Sequence, residues 1–364
     1  MEELMKFYRG KRVFVTGHTG FKGSWLCALL IKAGAQVTGY SLKPPTTPSL
    51  FELSSLQNDM NSVTGDIRDY DRLKLVFDKT APELVFHLAA QPIVRESYKN
   101  PQETYEVNVM GTVNVLECVR NSQKQSVKSV VNVTTDKVYE NVEKGIAFSE
   151  EERLNGHDPY SNSKSCSELV TGCYVRSFLA KQNVAVSTVR AGNVIGGGDF
   201  AADRIIPDCI RAVMSNRTIG IRNPDSIRPY QHVLEPLYAY LMIAKAQYED
   251  IGFAGSYNVG PDEADCITTK ELVSCFCEMW GKNAAWSSHT EVNAPHEAGY
   301  LKLDCTKLKD TFGWQPRWNI KKAVEQVCRF SKVWLGGGDV RAEMDREMNE
   351  FFKIIGLTEG RKLQ

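Results

Sequence analysis

The strongest constraint on this chain is an alternation. In the first half, short apolar, β-branched runs take turns with helix-like stretches. The runs are 11–16 (KRVFVT), 36–40, 60–64, 83–90 (ELVFHLAA), 127–134 (VKSVVNVT) and 184–189 (VAVSTV). Helical patterns such as 108–120 and 162–178 separate most of them. Strands that alternate with helices form βαβ units, and right-handed crossovers put helices on both faces of a parallel sheet. The expected fold class is α/β, a doubly wound parallel sheet of Rossmann type. After Gly196 the pattern loosens into a smaller mixed α/β part, with helices expected at 204–214, 234–246, 269–280 and 321–334 and one more strand at 256–259. The chain is expected to cross between two lobes: 1–196 with 228–262 in one, and 197–227 with 263–364 in the other. The polar tail beyond Gly356 is expected to fray.

Composition removes several function classes. Lys plus Arg number 44 and Asp plus Glu number 44, so the formal charge is zero. A neutral chain does not resemble a general nucleic-acid binder. No apolar run approaches the roughly 20 residues of a membrane helix, and the first twelve residues carry no secretory core. None of the 10 cysteines forms a Cys-x-x-Cys pair. They read as reduced thiols of a cytoplasmic protein, and no metal site is expected.

Between the first strand and the first helix stands Thr16-Gly17-His18-Thr19-Gly20-Phe21-Lys22-Gly23. The spacing G-x-x-G-x-x-G, placed after a strand and before a helix, is a dinucleotide-phosphate loop. Gly17 permits the turn, Gly20 lets the backbone approach a pyrophosphate, and Gly23 lets helix and strand pack closely. The helix N-terminus adds amides and a positive dipole. Thr19, Phe21 and Lys22 complete the expected contact set; His18 and Lys22 face either phosphate or solvent. The second strand ends in Tyr40-Ser41-Leu42-Lys43 with no carboxylate for an adenosine ribose. Lys43 keeps NADP open, although NAD is expected first. Asp66-Ile67, after the third strand, is an adenine contact candidate.

Tyr160-Ser161-Asn162-Ser163-Lys164 puts a phenol and an ammonium on one helix face, four residues apart. The ammonium is expected to lower the phenol pKa and make Tyr160 a usable base. Twenty-five residues upstream, Thr135, Asp136 and Lys137 close an apolar strand, where open parallel sheets bind ligands. Each residue alone has a bland reading as surface or turn; the combination favours a site.

The chain resembles the extended short-chain dehydrogenase/reductases, and within them the nucleotide-sugar 4,6-dehydratases. The motifs are VTGHTGFKGSW (15–25), FHLAAQPIVRESY (86–98), TTDKVY (134–139), DPYSNSKS (158–165), VRAGNVIGGGD (189–199), DRIIPD (203–208) and IRPYQHVLEP (227–236). HEAGYLKLDCTK (296–307) and GWQPRW (313–318) extend the likeness over roughly residues 8–335. The resemblance implies a redox-neutral loss of water from a nucleotide sugar. Tyr160, helped by Lys164 and Thr135, takes the C4 hydroxyl proton while NAD is reduced. Asp136 then serves as acid at C6 and Lys137 as base at C5. Lys at 137, where many relatives carry Glu, points to the CDP-glucose-using group. A lysine base must shed its proton, which calls for burial or a neighbouring cation.

The likeness also implies that Leu88, Ala89, Ala90 and Gln91 pass the cofactor. It puts Thr134, Arg190 and Asn193 near nicotinamide or sugar. Arg204, Arg222 and Arg228 are the expected cations for the diphosphate, with Asn193, His296 and Tyr300 as further substrate contacts. A homodimer, or a higher homo-oligomer, is implied as well, with the helices 108–120 and 162–178 at a two-fold interface. Other sugar bases, a 4-epimerase or plain oxidoreductase of the same fold, and a non-catalytic cofactor sensor are the alternatives.

Overall fold

A computed structural model describes residues 2–142, 145–281, 284–288 and 299–361, with side chains through 355. Seven strands form one parallel sheet: β1 (Arg12–Thr16), β2 (Gln36–Ser41), β3 (Asn61–Thr64), β4 (Leu84–His87), β5 (Ser129–Val133), β6 (Ala185–Ala191) and the later β11 (Ser256–Val259). Between β6 and β11 lie β7 (Val194–Ile195), β8 (Ile219–Ile221), β9 (Ile227–Pro229) and β10 (Gln231–His232); β12 (Cys266–Thr268) and β13 (Trp286–Ser288) follow. The large sheet runs β11-β6-β5-β4-β1-β2-β3. Strand order reverses between β1 and β4, so their C-terminal ends open a crevice suited to a ligand. The short strands make three two-stranded pairs beyond that edge: β7 with β10, β8 with β13, and β9 with β12.

Period-two alternation builds the core on both faces of the sheet. Val13, Val15, Phe86 and Val131 point to one face, where the helices Phe21–Lys32 and Leu234–Glu249 bring Trp25, Leu29, Leu237 and Leu241. Phe14, Val85, Val130 and Val186 point to the other, against Leu73, Phe77, Val115 and Val119. A separate apolar cluster around Ile206, Ile221, Phe276 and Val327 packs the elements after Gly196 that lie outside the main core.

The expected strands all form. Among the helices not anticipated are Glu2–Tyr8, Tyr70–Thr80 and Val340–Arg361. The last corrects the expected fraying tail, since the helix continues past Gly356. Val340, Met344, Met348, Phe351 and Ile355 are buried in the main core, at spacings of three and four along a chain that is otherwise charged. Among the described residues no helix is long and apolar enough to cross a membrane.

Candidate active site

A cleft of about 810 Å³ lies over the C-terminal edge of the sheet. It reaches from the glycine loop to the arginines of the smaller lobe. At one end the loop turns at Gly17, whose φ of +77° favours glycine. Gly23 is fixed by contact: a Cβ there would sit 2.1 Å from the Gly17 carbonyl oxygen. Gly20 is the N-cap of the helix Phe21–Lys32 and offers no side chain to its first-turn amides. A Cβ at Gly20 would meet only the Gly17 carbonyl oxygen, at 3.4 Å, so the backbone is open to the cleft. Free amides at a helix N-terminus suit a phosphate, and the loop therefore fits a dinucleotide. Asp66, Ile67, Leu88, Ala89 and Ala90 continue the wall on that side, as do Ser41, Leu42 and Lys43.

Several loop expectations change in detail. His18 faces neither phosphate nor solvent. It is buried against Gly39, and its Nε2 shares a hydrogen bond with Ser62 Oγ at 2.8 Å. Burial lowers its pKa to about 4. The Thr19 hydroxyl sits 2.9 Å from Ser41 Oγ and 3.0 Å from the Leu42 carbonyl oxygen, which ties the loop to the end of β2. Lys22 reaches inward, its Nζ 3.4 Å from Tyr240 Oη. Burial, with Arg204 and Lys164 adding repulsion, lowers its ammonium to about 7.

The candidate reactive residues come from two elements. The helix Pro159–Tyr174 starts at Asp158, whose carboxylate accepts from Ser161 N at 3.0 Å, with Pro159 in its first turn. That start sets the phase which turns Tyr160, Lys164 and Glu168 to one face. Lys164 Nζ donates to the Val133 carbonyl at 3.1 Å. Burial lowers Lys164 to about 8, against the raising influence of Glu168. Burial also pushes the Tyr160 phenol up to about 12, although Thr135 and Arg204 act to lower it. This corrects the expected depressed phenol: in the buried cleft, desolvation outweighs the neighbouring cations.

Thr135, Asp136 and Lys137 follow β5 into the cleft. Asp136 is 1% exposed. One carboxylate oxygen accepts from Thr135 Oγ1 at 3.0 Å, and the other has no hydrogen-bond partner among the described residues. Burial raises its pKa, although Lys137, Thr135, Arg228 and Lys22 all pull it down. Lys137 is half-buried on the wall beside it. Gly192 faces Asp136 so closely that a Cβ would fall 1.7 Å from the unpartnered oxygen.

Thr134, Asn193, Arg204, Arg222 and Arg228 line the cleft as expected. The amide nitrogen of Asn193 is buried without a hydrogen-bond partner among the described residues. Three expectations are corrected. Gln91 is not on the cleft wall; its Nε2 donates to Thr104 Oγ1 at 2.9 Å and its Oε1 accepts from Ile93 N at 2.6 Å. Arg190 lies beneath the site, where its Nε and Nη2 each donate to Glu168 at 2.9 Å. Tyr300 lines a small separate hollow with Phe148 and Glu152. His296 lies outside the described residues. Sequence reasoning missed Glu168, Arg95 and Asp203. Glu168 was findable, since it stands four residues beyond Lys164 on the same helix face.

Gly192→Ala tests this packing. Overfilling the contact with Asp136 should lower stability by about 1–3 kcal/mol, read by chemical denaturation. A change within about 0.5 kcal/mol would contradict the close approach.

Comparison with known proteins places these features in a family. The family model for GDP-mannose 4,6 dehydratase matches residues 14–327. A CDP-glucose 4,6-dehydratase of Salmonella typhimurium is 48% identical over 351 residues, covering 95% of this chain and 97% of that protein. A CDP-paratose 2-epimerase of Salmonella typhi is 31% identical, over 87% of this chain and 98% of that protein. Among solved structures, a dTDP-glucose 4,6-dehydratase of Bacillus anthracis in complex with NAD superposes with a TM-score of 0.73 at 21% identity, over 88% of this chain and 96% of that one. A UDP-glucose 4-epimerase of Thermotoga maritima gives 0.76 at 21% identity, over 89% and 99%. The family model spans the glycine loop, the helix of Tyr160 and Lys164, and the arginine wall alike, and the chain belongs to the GDP-mannose 4,6 dehydratase family.

Proposed function

We propose that the chain is a CDP-glucose 4,6-dehydratase that converts CDP-D-glucose to CDP-4-keto-6-deoxy-D-glucose with no net redox change. The observation that carries this reading is Asp136. An enzyme that only oxidises or epimerises at C4 needs a tyrosine and a lysine. Expelling water needs a further acid, and a buried carboxyl with a raised pKa and a free oxygen answers that need. The likeness to the Salmonella typhimurium enzyme, over nearly the whole of both chains, supports CDP-glucose as the substrate.

The roles follow from position. NAD, when bound, supplies the hydride acceptor for C4 and the donor for C6, together with a positive ring charge. Tyr160 takes the C4 hydroxyl proton, and Lys164 favours its phenolate. Thr135 orients the same hydroxyl. Once C4 is a ketone its neighbour C5 is acidic, and Lys137 takes the C5 proton. Asp136 gives its proton to the C6 hydroxyl, which leaves as water, and C5 regains a proton from Lys137 as C6 takes up the returned hydride. Asp136 holds its proton to higher pH than an exposed aspartate and loses it as pH rises, so water loss slows toward alkaline pH. The lobe of 1–196 with 228–262 holds the cofactor, and 197–227 with the part of 263–364 before the helix Val340–Arg361 holds the sugar nucleotide, since that helix packs in the main core. The uncapped amides after Gly20 support the cofactor end; Arg204, Arg222 and Arg228 support the diphosphate end.

The protein works as a cytoplasmic homodimer in this reading. Exposed Tyr105, Met110, Leu169 and Phe178 on the helical segments 101–120 and 159–179 support a shared helical face. Light scattering that reads a monomer at micromolar concentration would remove the dimer.

Mass spectrometry of purified protein with CDP-, dTDP-, UDP- and GDP-glucose tests the activity. A product one water lighter, formed from CDP-glucose with no accumulation of reduced cofactor, is expected. An isomer of unchanged mass, or stoichiometric reduced cofactor, would sink the dehydratase reading. Tyr160→Phe should lower kcat by about 10²–10⁴-fold, and a variant within twofold of the wild type would strip Tyr160 of its role.

A further inference from the structure

Two guanidiniums from different parts of the fold meet on one carboxylate oxygen at the cleft. Arg222, just past β8, puts Nη1 3.2 Å from Asp203 Oδ1. Arg95, in the short helix Val94–Lys99 that follows β4, puts Nε 3.8 Å from the same oxygen. All three residues line the cleft. Asp203 adopts φ +59°, a left-handed backbone that few side chains other than Asn and Asp tolerate. Its neighbour Asp199 is different in kind: buried, it accepts from Ala201 N and from Arg204 Nη1, each at 3.1 Å, and so anchors the loop. Asp203 is more than a third exposed, and its carboxylate reaches over to the arginines.

We propose that Arg95 and Arg222 form a clamp for the substrate diphosphate, and that Asp203 stands in for that diphosphate until the substrate displaces it. The proposal rests on the nucleotide-sugar reading above and adds Arg95 as a binding residue. Three points favour exchange over a permanent bridge. The pairs are partly exposed, so each contributes little net stability and is readily replaced. A carboxylate oxygen shared between two guanidiniums satisfies fewer donors than a diphosphate, which presents several oxygens to their forked N–H groups. And Arg95 belongs to a segment after β4 whereas Arg222 belongs to the smaller lobe, so a doubly charged ligand joins both walls more strongly than one carboxylate. The displaced Asp203 returns to solvent, where its charge carries no burial cost.

Calorimetric binding of CDP, inorganic pyrophosphate and cytidine to the full chain tests this. Asp203→Asn removes the charge while keeping a residue that tolerates positive φ. It should tighten CDP and pyrophosphate about two- to fivefold and leave cytidine unchanged. Arg95→Ala should weaken CDP and pyrophosphate about five- to twentyfold, again without effect on cytidine. Unchanged or weaker diphosphate binding in Asp203→Asn would overturn the stand-in, as would equal tightening of cytidine. Wild-type affinity for CDP in Arg95→Ala would overturn the clamp. A wild-type chain that binds neither CDP nor pyrophosphate would instead overturn the nucleotide-sugar reading itself, and the clamp with it.

Discussion

The site stands on one buried ion pair. Glu168 and Arg190 are both almost fully buried and share two parallel N–H···O bonds of 2.9 Å. The carboxylate also accepts from Thr134 Oγ1 at 2.5 Å and from Thr188 Oγ1 at 2.6 Å. The guanidinium donates to Tyr139 Oη at 2.9 Å, and Tyr139 donates to Asn258 Oδ1 at 2.6 Å. This network ties the helix of Tyr160 and Lys164 to the ends of β5, β6 and β11. Removing either charged partner alone would cost about 3–5 kcal/mol, because the other would be left buried and unpaired. The candidate reactive groups thus sit on a foundation that resists rotation of the helix and slippage of the strands.

Above that foundation the cleft works by withholding water. Four buried groups of the cleft shift toward their neutral forms. Lys22 and Lys164 fall to about 7 and about 8, while Asp136 and Tyr160 rise. For Asp136 this direction suits a proton donor. For Tyr160 it works against a base, so the phenolate depends on positive charge gathered nearby: Lys164, Arg204 and a cationic cofactor ring. A cleft of this kind is poised by its ligands, since each arriving charge moves the protonation of its neighbours.

Much of this could be read in the residues. Alternating strands and helices gave the doubly wound sheet because period-two burial on both faces is a local property. The glycine spacing and the Tyr-x-x-x-Lys pair located both ends of the cleft. What escaped depends on side-chain direction and on long-range packing. Gln91 and Arg190 lie within motif-bearing strand ends, yet their side chains turn to Thr104 and Glu168. The helix Val340–Arg361 hid its buried stripe among arginines and glutamates. The raised phenol could not be foreseen either, because the balance between burial and a neighbouring cation is set by depth, which spacing does not encode.

The central claim is that Asp136 delivers the proton on which water departs. Single turnover of CDP-glucose by Asp136→Asn, with the sugar trapped as its oxime and weighed by mass spectrometry, tests it most directly. The account predicts a 4-keto hexose that still carries its C6 oxygen, heavier than the wild-type product by one oxygen atom. Loss of water at the wild-type rate would contradict it.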